Sequence, residues 1–285
     1  MNKFAFTASV CVTFFFAACG DSGNTASPHS NADMEVRTYS ELPSCAEKRD
    51  GKTAYVADQE QGYICQNGKW VEDDDVKVVS HSEVKGSLTD SRDGQTYRTV
   101  TIGSQTWMAQ NLNYKTANSY CYVDNPSNCT KYGRLYTWAA AMDSAGTWSA
   151  NGKGCGYGKT CTPTYPVRGV CPTGWHLPTQ TEWNTLFTAV GGSSTAGTKL
   201  KSTTGWNSSG NSVSGTDAYS FTALPAGRRY SNGDYYHEGY NAYFWSSTED
   251  DYYYAYIMSL YYNDDTAYLD NDSKYRGFSV RCVKD

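Results

Sequence analysis

Histidine is scarce in this 285-residue chain: only positions 29, 81, 176 and 237 carry it, and no H-E-x-x-H pair occurs. That excludes the common zinc-peptidase design, and with no C-x₂-C pair to supply thiolates, no metal or other cofactor is expected. A G-x-S-x-G elbow and a phosphate-cradling glycine loop are also missing, which leaves serine hydrolases and nucleotide binders without a signature. Basic runs are absent and the net charge is −5, so a nucleic-acid partner has no electrostatic footprint. The one long apolar run, Phe4 to Ala18, is too short and wrongly flanked to span a bilayer. Against 8 prolines and 5 methionines stand 25 tyrosines and 8 tryptophans. Tyrosine at that level suits rigid, amphipathic, adhesive surfaces.

The apolar run instead reads as an export address. Lys3 precedes it, and it closes on Phe16-Ala17-Ala18-Cys19, which resembles a bacterial lipobox with cleavage before a cysteine that becomes lipidated. The lipobox pattern prefers Leu where Phe16 stands, and the alternative is an ordinary secretory signal with Cys19 left as a thiol. The expected address is the outer membrane or cell surface, with the lipid on Cys19 holding the protein to the bacterial membrane.

Export makes the remaining cysteines a disulfide framework, since an oxidising compartment favours pairing an even set. Many connectivities are open to eight cysteines; their spacing suggests Cys45–Cys65, Cys121–Cys129, Cys155–Cys161 and Cys171–Cys282. The layout that follows is a signal segment at 1–18, a flexible tether at 19–40 and a small stapled β unit at 41–72, then a linker at 73–87 and a large domain at 88–285. In the small unit, Asp50-Gly51 and Asn67-Gly68 read as hairpin turns, the second flanked by strands 63–65 and 69–71. About thirty residues cannot bury a sufficient core, so the disulfide is its staple.

The clearest element of the large domain is a helix after Cys171. Thr179 and Glu182 form a capping box, Trp183, Leu186, Phe187 and Val190 make one apolar stripe, and Gly191-Gly192 ends it. A hairpin around Gly103-Ser104 with Trp107 as core anchor precedes it, and a first helix is expected to open over Tyr132 to Trp138 and run through Met142. Residues 200–206 read as a short turn. In 252–262 the alternation places Tyr254, Tyr256, Met258 and Leu260 on one strand face, with Tyr254 and Tyr256 read as core. The last strand puts Phe278, Val280 and Cys282 on one face, so a Cys171–Cys282 bridge would close a loop worth about 4–5 kcal/mol in the chain-entropy model.

Several of these stretches resemble a known family. Trp107-Met108-Ala109-Gln110-Asn111-Leu112, Gly133-Arg134-Leu135-Tyr136, Gly174-Trp175-His176-Leu177-Pro178, Phe244-Trp245-Ser246-Ser247-Thr248-Glu249 and Ser279-Val280-Arg281-Cys282 resemble the Fibrobacter succinogenes major paralogous domain across roughly 88–285. More distantly, Trp175 to Thr179 with Glu182-Trp183 and the terminal strand look like the signature shared by formylglycine-generating enzymes and C-type lectin-like domains. The resemblance implies an α+β, C-type lectin-like domain with two helices, a small twisted antiparallel sheet and long loops. The calcium loops of such lectins have no counterpart, and Asp270-Asn271-Asp272 puts Lys274 where a third ligand of an EF-hand loop should stand, so a structural calcium is not indicated. His176 is read as a satisfied structural imidazole.

Function then rests on tyrosine-rich loops. Tyr235, Tyr236, Tyr240, Trp245, Tyr252, Tyr253, Tyr261, Tyr262 and Tyr268, interleaved with Asp, Asn, Ser and Gly, have the composition of a paratope and are expected to share one binding face. The expected activity is non-enzymatic binding or adhesion to a polysaccharide or a surface protein. Two alternatives belong to other classes: an enzyme on a formylglycine-generating-like scaffold, and a purely structural envelope protein.

Overall fold

The computed structural model describes residues 85–285 without a break and most of 29–79; residues 1–28, 31, 37, 57–58, 60, 77 and 80–84 lie outside it, and with them the expected signal segment and Cys19. The small unit is a sheet of β1 (Met34–Val36), β2 (Thr53–Val56), β3 (Gln61–Gln66) and β4 (Lys69–Glu72), in that order, with β1 parallel to β2 and the rest antiparallel. Asn67 and Gly68 both take positive φ, 51° and 79°, the condition a two-residue turn sets for joining β3 to β4. Asp50-Gly51 is a turn but not a hairpin. It follows a 3₁₀ turn at Glu47–Arg49, and the Gly51 N–H donates to the Cys65 carbonyl at 2.8 Å. Cys45 and Cys65 are bonded and buried beside Ala54, Tyr55 and Val56. Met34–Val36 and a short pairing of His29–Ser30 with Val78–Val79 fall in stretches expected as tether and linker.

The large domain is mixed helix and sheet. Its first sheet contains β5 (Gly86–Thr89), β6 (Thr96–Ile102) and β7 (Gln105–Met108), the last two joined by the expected hairpin. Next come β8 (Ser119–Tyr120), α1 (Pro126–Tyr132), β9 (Leu135–Tyr136) and α2 (Trp138–Ala141). The expected first helix is therefore interrupted. Gly133, at φ 73°, ends α1, and a Cβ there would come within 2.7–2.8 Å of Asn111 and Leu112, so the chain extends as β9 before α2 begins.

After β10 (Trp175–His176) comes α3 (Gln180–Ala189), with its capping box formed and Trp183, Leu186, Phe187 and Val190 buried. Gly191 and Gly192, at φ 92° and 98°, close it. A further helix, α4 (Ser193–Leu200), precedes the expected turn. Ser-Ser-Thr-Ala-Gly-Thr has poor intrinsic helicity, so packing forms it: at Gly197 a Cβ would meet the carbonyls of Asp265 and Thr266 at 2.6 Å.

The remaining strands are β11 (Ala226–Arg229) paired with β12 (Tyr235–Glu238), then the sheet β13 (Asn241–Glu249), β14 (Tyr254–Tyr261) and β15 (Ala267–Ser273), and finally β16 (Val283–Lys284). β16 lies between β10 and β7, so the end of the chain returns to the domain's first sheet.

Both faces of β13–β14 are buried. Tyr243, Trp245, Ala255 and Ile257 enter one core with Trp138, Phe278, Val280 and the Cys171–Cys282 bridge; Ala242, Phe244, Met258 and Leu260 enter another with Trp107, Trp183, Leu186 and Phe187. Tyr254 and Tyr256 are corrections: placed in the core by alternation, Tyr254 is 43% exposed and Tyr256 is half-buried with its hydroxyl bonded to Asp250, so burial on their face starts only at Met258.

His176 joins this frame to the chain end. Its Nε2 meets Glu182 Oε1 and its Nδ1 meets Asp285 Oδ1, each at 2.7 Å, while Glu182 Oε2 accepts the Thr179 N–H. Burial alone lowers the imidazole's proton affinity, and the bonds to Glu182 and Asp285 more than reverse this, so its pKa is raised. Burial also opposes the Glu182 charge, yet the bonds to His176 and Thr179 hold its pKa below the ordinary value. The histidine's contribution is whole below its ordinary 6.5 and fades as pH climbs through the raised value; that of Glu182 is whole above 4.5 and fades as pH falls. His176→Gln should therefore cost about 1–2 kcal/mol in urea denaturation between those limits, with the gap to wild type narrowing as pH rises step by step above 6.5. A gap independent of pH would mean the imidazolium is not engaged.

The bridge between Cys171 and Cys282 spans 111 residues with Cα atoms 6.0 Å apart. Replacing both by Ser should cost about 4–5 kcal/mol, as a long closed loop implies. A loss under 1 kcal/mol in equilibrium denaturation would show that buried packing alone fixes the return of the last strand.

Candidate functional site

The site begins with a small disulfide loop. Cys155–Cys161 closes a loop in which Gly156 pairs with Lys159, and Tyr157-Gly158 forms the tip. Gly158, at φ 71°, donates its N–H to the Tyr252 carbonyl at 3.0 Å, seating the tip on the segment between β13 and β14. Tyr157 thereby stacks on Tyr275, with ring centroids 3.8 Å apart and planes inclined 22°, and touches Tyr253, which in turn touches Tyr252. These four rings are exposed, Tyr157 by 37% and Tyr275 by 53%.

Beneath the rings lies a buried ion pair. Lys274 Nζ donates to Glu249 Oε1, to the Asp251 carbonyl at 2.6 Å, and at 3.4 Å to the carbonyls of Tyr252 and Lys159; it also faces the Trp138 ring at 4.6 Å. Glu249 Oε2 accepts the Cys161 N–H. One cation and one carboxylate thus fasten the end of β13, the β13–β14 connection, the disulfide loop and the residue after β15.

The facing wall comes from β8 and β11. The Arg229 guanidinium lies 3.8 Å from the Tyr120 ring centroid and 5.8 Å from that of Tyr235, whose hydroxyl donates to Asp124 at 2.6 Å. Between the walls is a groove of about 580 Å³ lined by Asn118, Tyr120, Thr137, Ala139, Ser144, Gly156, Tyr157, Lys159, Arg229, Ser231, Lys274 and Tyr275. Among the described residues that line it there is no carboxylate. Flat rings, hydroxyl and amide groups and cations in one trough can hold a polar ligand by stacking, hydrogen bonds and charge.

The tyrosines expected on one face divide. Tyr252 and Tyr253 continue the Tyr157–Tyr275 wall, and Tyr235 continues the Arg229 wall. Tyr240 packs on Tyr262 and Tyr261 on Tyr268, at the other end of β14, about 23 Å away at 3.3 Å per residue. Tyr236 packs on Tyr230. Trp245 is a correction: it is fully buried, its Nε1 donating to the Tyr136 carbonyl at 2.7 Å, so it anchors the core and contacts no ligand.

Tyr120, Tyr157, Lys159 and Arg229 were missed by sequence reasoning. The available signal was the short Cys155–Cys161 spacing around a Tyr-Gly tip; nothing local marks Tyr120 or Arg229. Asp270-Asn271-Asp272 lies in strand β15, and Asp272 bonds Arg276 at 2.6 Å and Arg228 at 3.4 Å. Among the described residues no cluster of three or more His, Cys, Asp or Glu side chains could hold a metal ion.

The family model of the Fibrobacter succinogenes major domain matches residues 100–284. No curated protein and no solved structure matches the chain.

Glu249→Gln leaves the Lys274 ammonium buried without its counter-charge, so stability should fall by about 3–5 kcal/mol. Hydrogen exchange at the Gly158 and Cys161 amides should speed up with it. A loss below 1 kcal/mol, with both amides still protected, would show that the carbonyls alone hold Lys274.

Proposed function

We propose that the chain, which belongs to the Fibrobacter succinogenes major domain family, works as a non-enzymatic adhesion or binding protein that takes a glycan into the Tyr157–Tyr275 groove. The observation that carries this reading is the groove itself: exposed tyrosine planes beside hydroxyl and amide groups suit the apolar faces and hydroxyls of sugar rings. The exposed tyrosines lie on a rigid base of disulfide and buried ion pair, which limits the entropy lost on binding. The enzyme alternative has less support. A formylglycine-type oxidase needs reactive thiols, and Cys45, Cys65, Cys121, Cys129, Cys155, Cys161, Cys171 and Cys282 are all in disulfides.

The proposal includes a lectin-like kinship, supported by the return of β16 beside β7 and the bridge from Cys282 to the segment before α3. It also includes a lipid on Cys19, holding the protein at the outer membrane or cell surface. Among the described residues no helix is long and apolar enough to cross a membrane.

Affinity electrophoresis against immobilised plant and cell-wall polysaccharides tests the reading. The wild-type protein should be retarded by at least one polymer, and Tyr157→Ala or Tyr275→Ala should weaken retention tenfold, about 1.4 kcal/mol, as for a central aromatic contact. Tyr268→Ala, at the far end of β14, should leave it unchanged. Retention by none of the polymers, or one or two titratable thiols besides Cys19 in the unreduced protein, would sink it.

A further inference from the structure

We infer that the groove selects an anionic polysaccharide, one bearing carboxylate or sulfate groups, and that Lys159 and Arg229 are its charge contacts. This rests on the glycan-binding reading and adds the substrate class. The chain as a whole is acidic, at −5, yet among the described residues the groove is lined by three cations and no carboxylate. That inversion draws an anionic polymer to this trough while the surrounding protein repels it.

The three cations are not equivalent. Lys274 is spent on Glu249 and backbone carbonyls, so it braces the floor and offers no free donor. Lys159 is exposed at the disulfide loop, and among the described residues its ammonium has no ion-pair or hydrogen-bond partner. Among the described residues Arg229 also has no carboxylate partner, although Arg228 and Arg276 both bond Asp272. Its described partners are neutral: the Tyr230 carbonyl, 3.3 Å from Nη1, and the Tyr235 hydroxyl. A carboxylate or sulfate entering the groove supplies an anionic partner to the Arg229 guanidinium and a counter-charge to Lys159.

The polymer is a sugar rather than an acidic peptide because the rest of the lining favours ring faces and hydroxyls. Tyr157 and Tyr275 present flat surfaces, and Asn118, Ser144 and Ser231 present short polar groups.

The test measures retention of the full chain on polygalacturonate, a sulfated galactan, a neutral galactan and poly-glutamate at low and physiological salt. Expected is retention on one or both anionic polysaccharides at least tenfold stronger than on neutral galactan, weakening as salt rises; which anion binds better names the group. Lys159→Gln and Arg229→Gln should each reduce that retention about tenfold, the worth of one charged hydrogen bond, and should reduce retention on neutral galactan by less. Arg229 is packed against Tyr120, so a misfolded Arg229→Gln is recognised by lost thermal unfolding, and the exposed Lys159→Gln then decides. Equal retention on neutral and anionic polysaccharides overturns the inference while the glycan reading stands. Equal or stronger retention on poly-glutamate overturns the choice of a sugar, and retention on no polymer overturns both readings.

Discussion

An ammonium with no access to solvent, that of Lys274, holds the candidate site together. Removing such a charge from water costs several kcal/mol unless partners surround it. Here the partners are Glu249, at the end of β13, the carbonyls of Asp251 and Tyr252 in the connection that follows it, and the carbonyl of Lys159 in the disulfide loop. The connection and the disulfide loop lie outside the sheet ladders. The cost of leaving the charge unmet places both, and Tyr275, the residue after Lys274, is carried to the stacking position against Tyr157. The groove wall is rigid because the cation beneath it tolerates few arrangements.

The same device recurs elsewhere in the domain. Lys201 is fully buried, and its Nζ donates to the carbonyls of Val213, Tyr261 and Asp264 at 2.8–3.1 Å. Arg281, also fully buried, donates to the carbonyls of Met108, Phe221 and Thr222 and to Asn111 Oδ1, between the Phe221 and Phe244 rings. Burial lowers the pKa of both, bringing Arg281 down to about 9. Several of these carbonyls, those of Val213, Phe221, Thr222 and Asp264, lie outside strands and helices, and long cationic side chains satisfy several of them at a time. Aspartate does the reverse job at Asp143, whose carboxylate accepts the N–H groups of Thr147, Trp148 and Ser149. Charged groups stand in for secondary structure in supplying partners to these loop backbones.

How much of this was legible depended on whether the deciding contact was local. α3 was legible because the capping box, apolar stripe and terminal glycines all act within fourteen residues, Thr179 to Gly192. The β6–β7 hairpin was legible for the same reason, and close spacing marked three of the four disulfides. α4 was not, since its sequence disfavours helix and only the approach of Asp265 and Thr266 to Gly197 selects it. The break at Gly133 was also set from outside, by Asn111 and Leu112. For the groove the difficulty is greater. Tyr120, Tyr157, Arg229 and Tyr275 are separated by tens of residues, and no period in the sequence connects them. Composition pointed to tyrosine as the binding residue but not to which tyrosines converge.

That last selection follows from the two cores. A sheet with one solvated face can display aromatic rings along its whole length. In β13 both faces are covered from Asn241 to Ser247, so a ring such as Tyr243 or Trp245 has nowhere to go but inward. Exposed tyrosines are confined to the strand ends and the connections beyond them. At one end of β14 the neighbouring elements are the Cys155–Cys161 loop and, through Lys274, the exit of β15, which together form a wall opposite Arg229. At the other end, Tyr240, Tyr261, Tyr262 and Tyr268 pack against one another, and the Tyr268 hydroxyl is taken up by Asp264. Identical chemistry at the two ends therefore has different consequences. Where a second wall faces the rings there is a trough that can enclose a ligand, and where none does the rings satisfy each other.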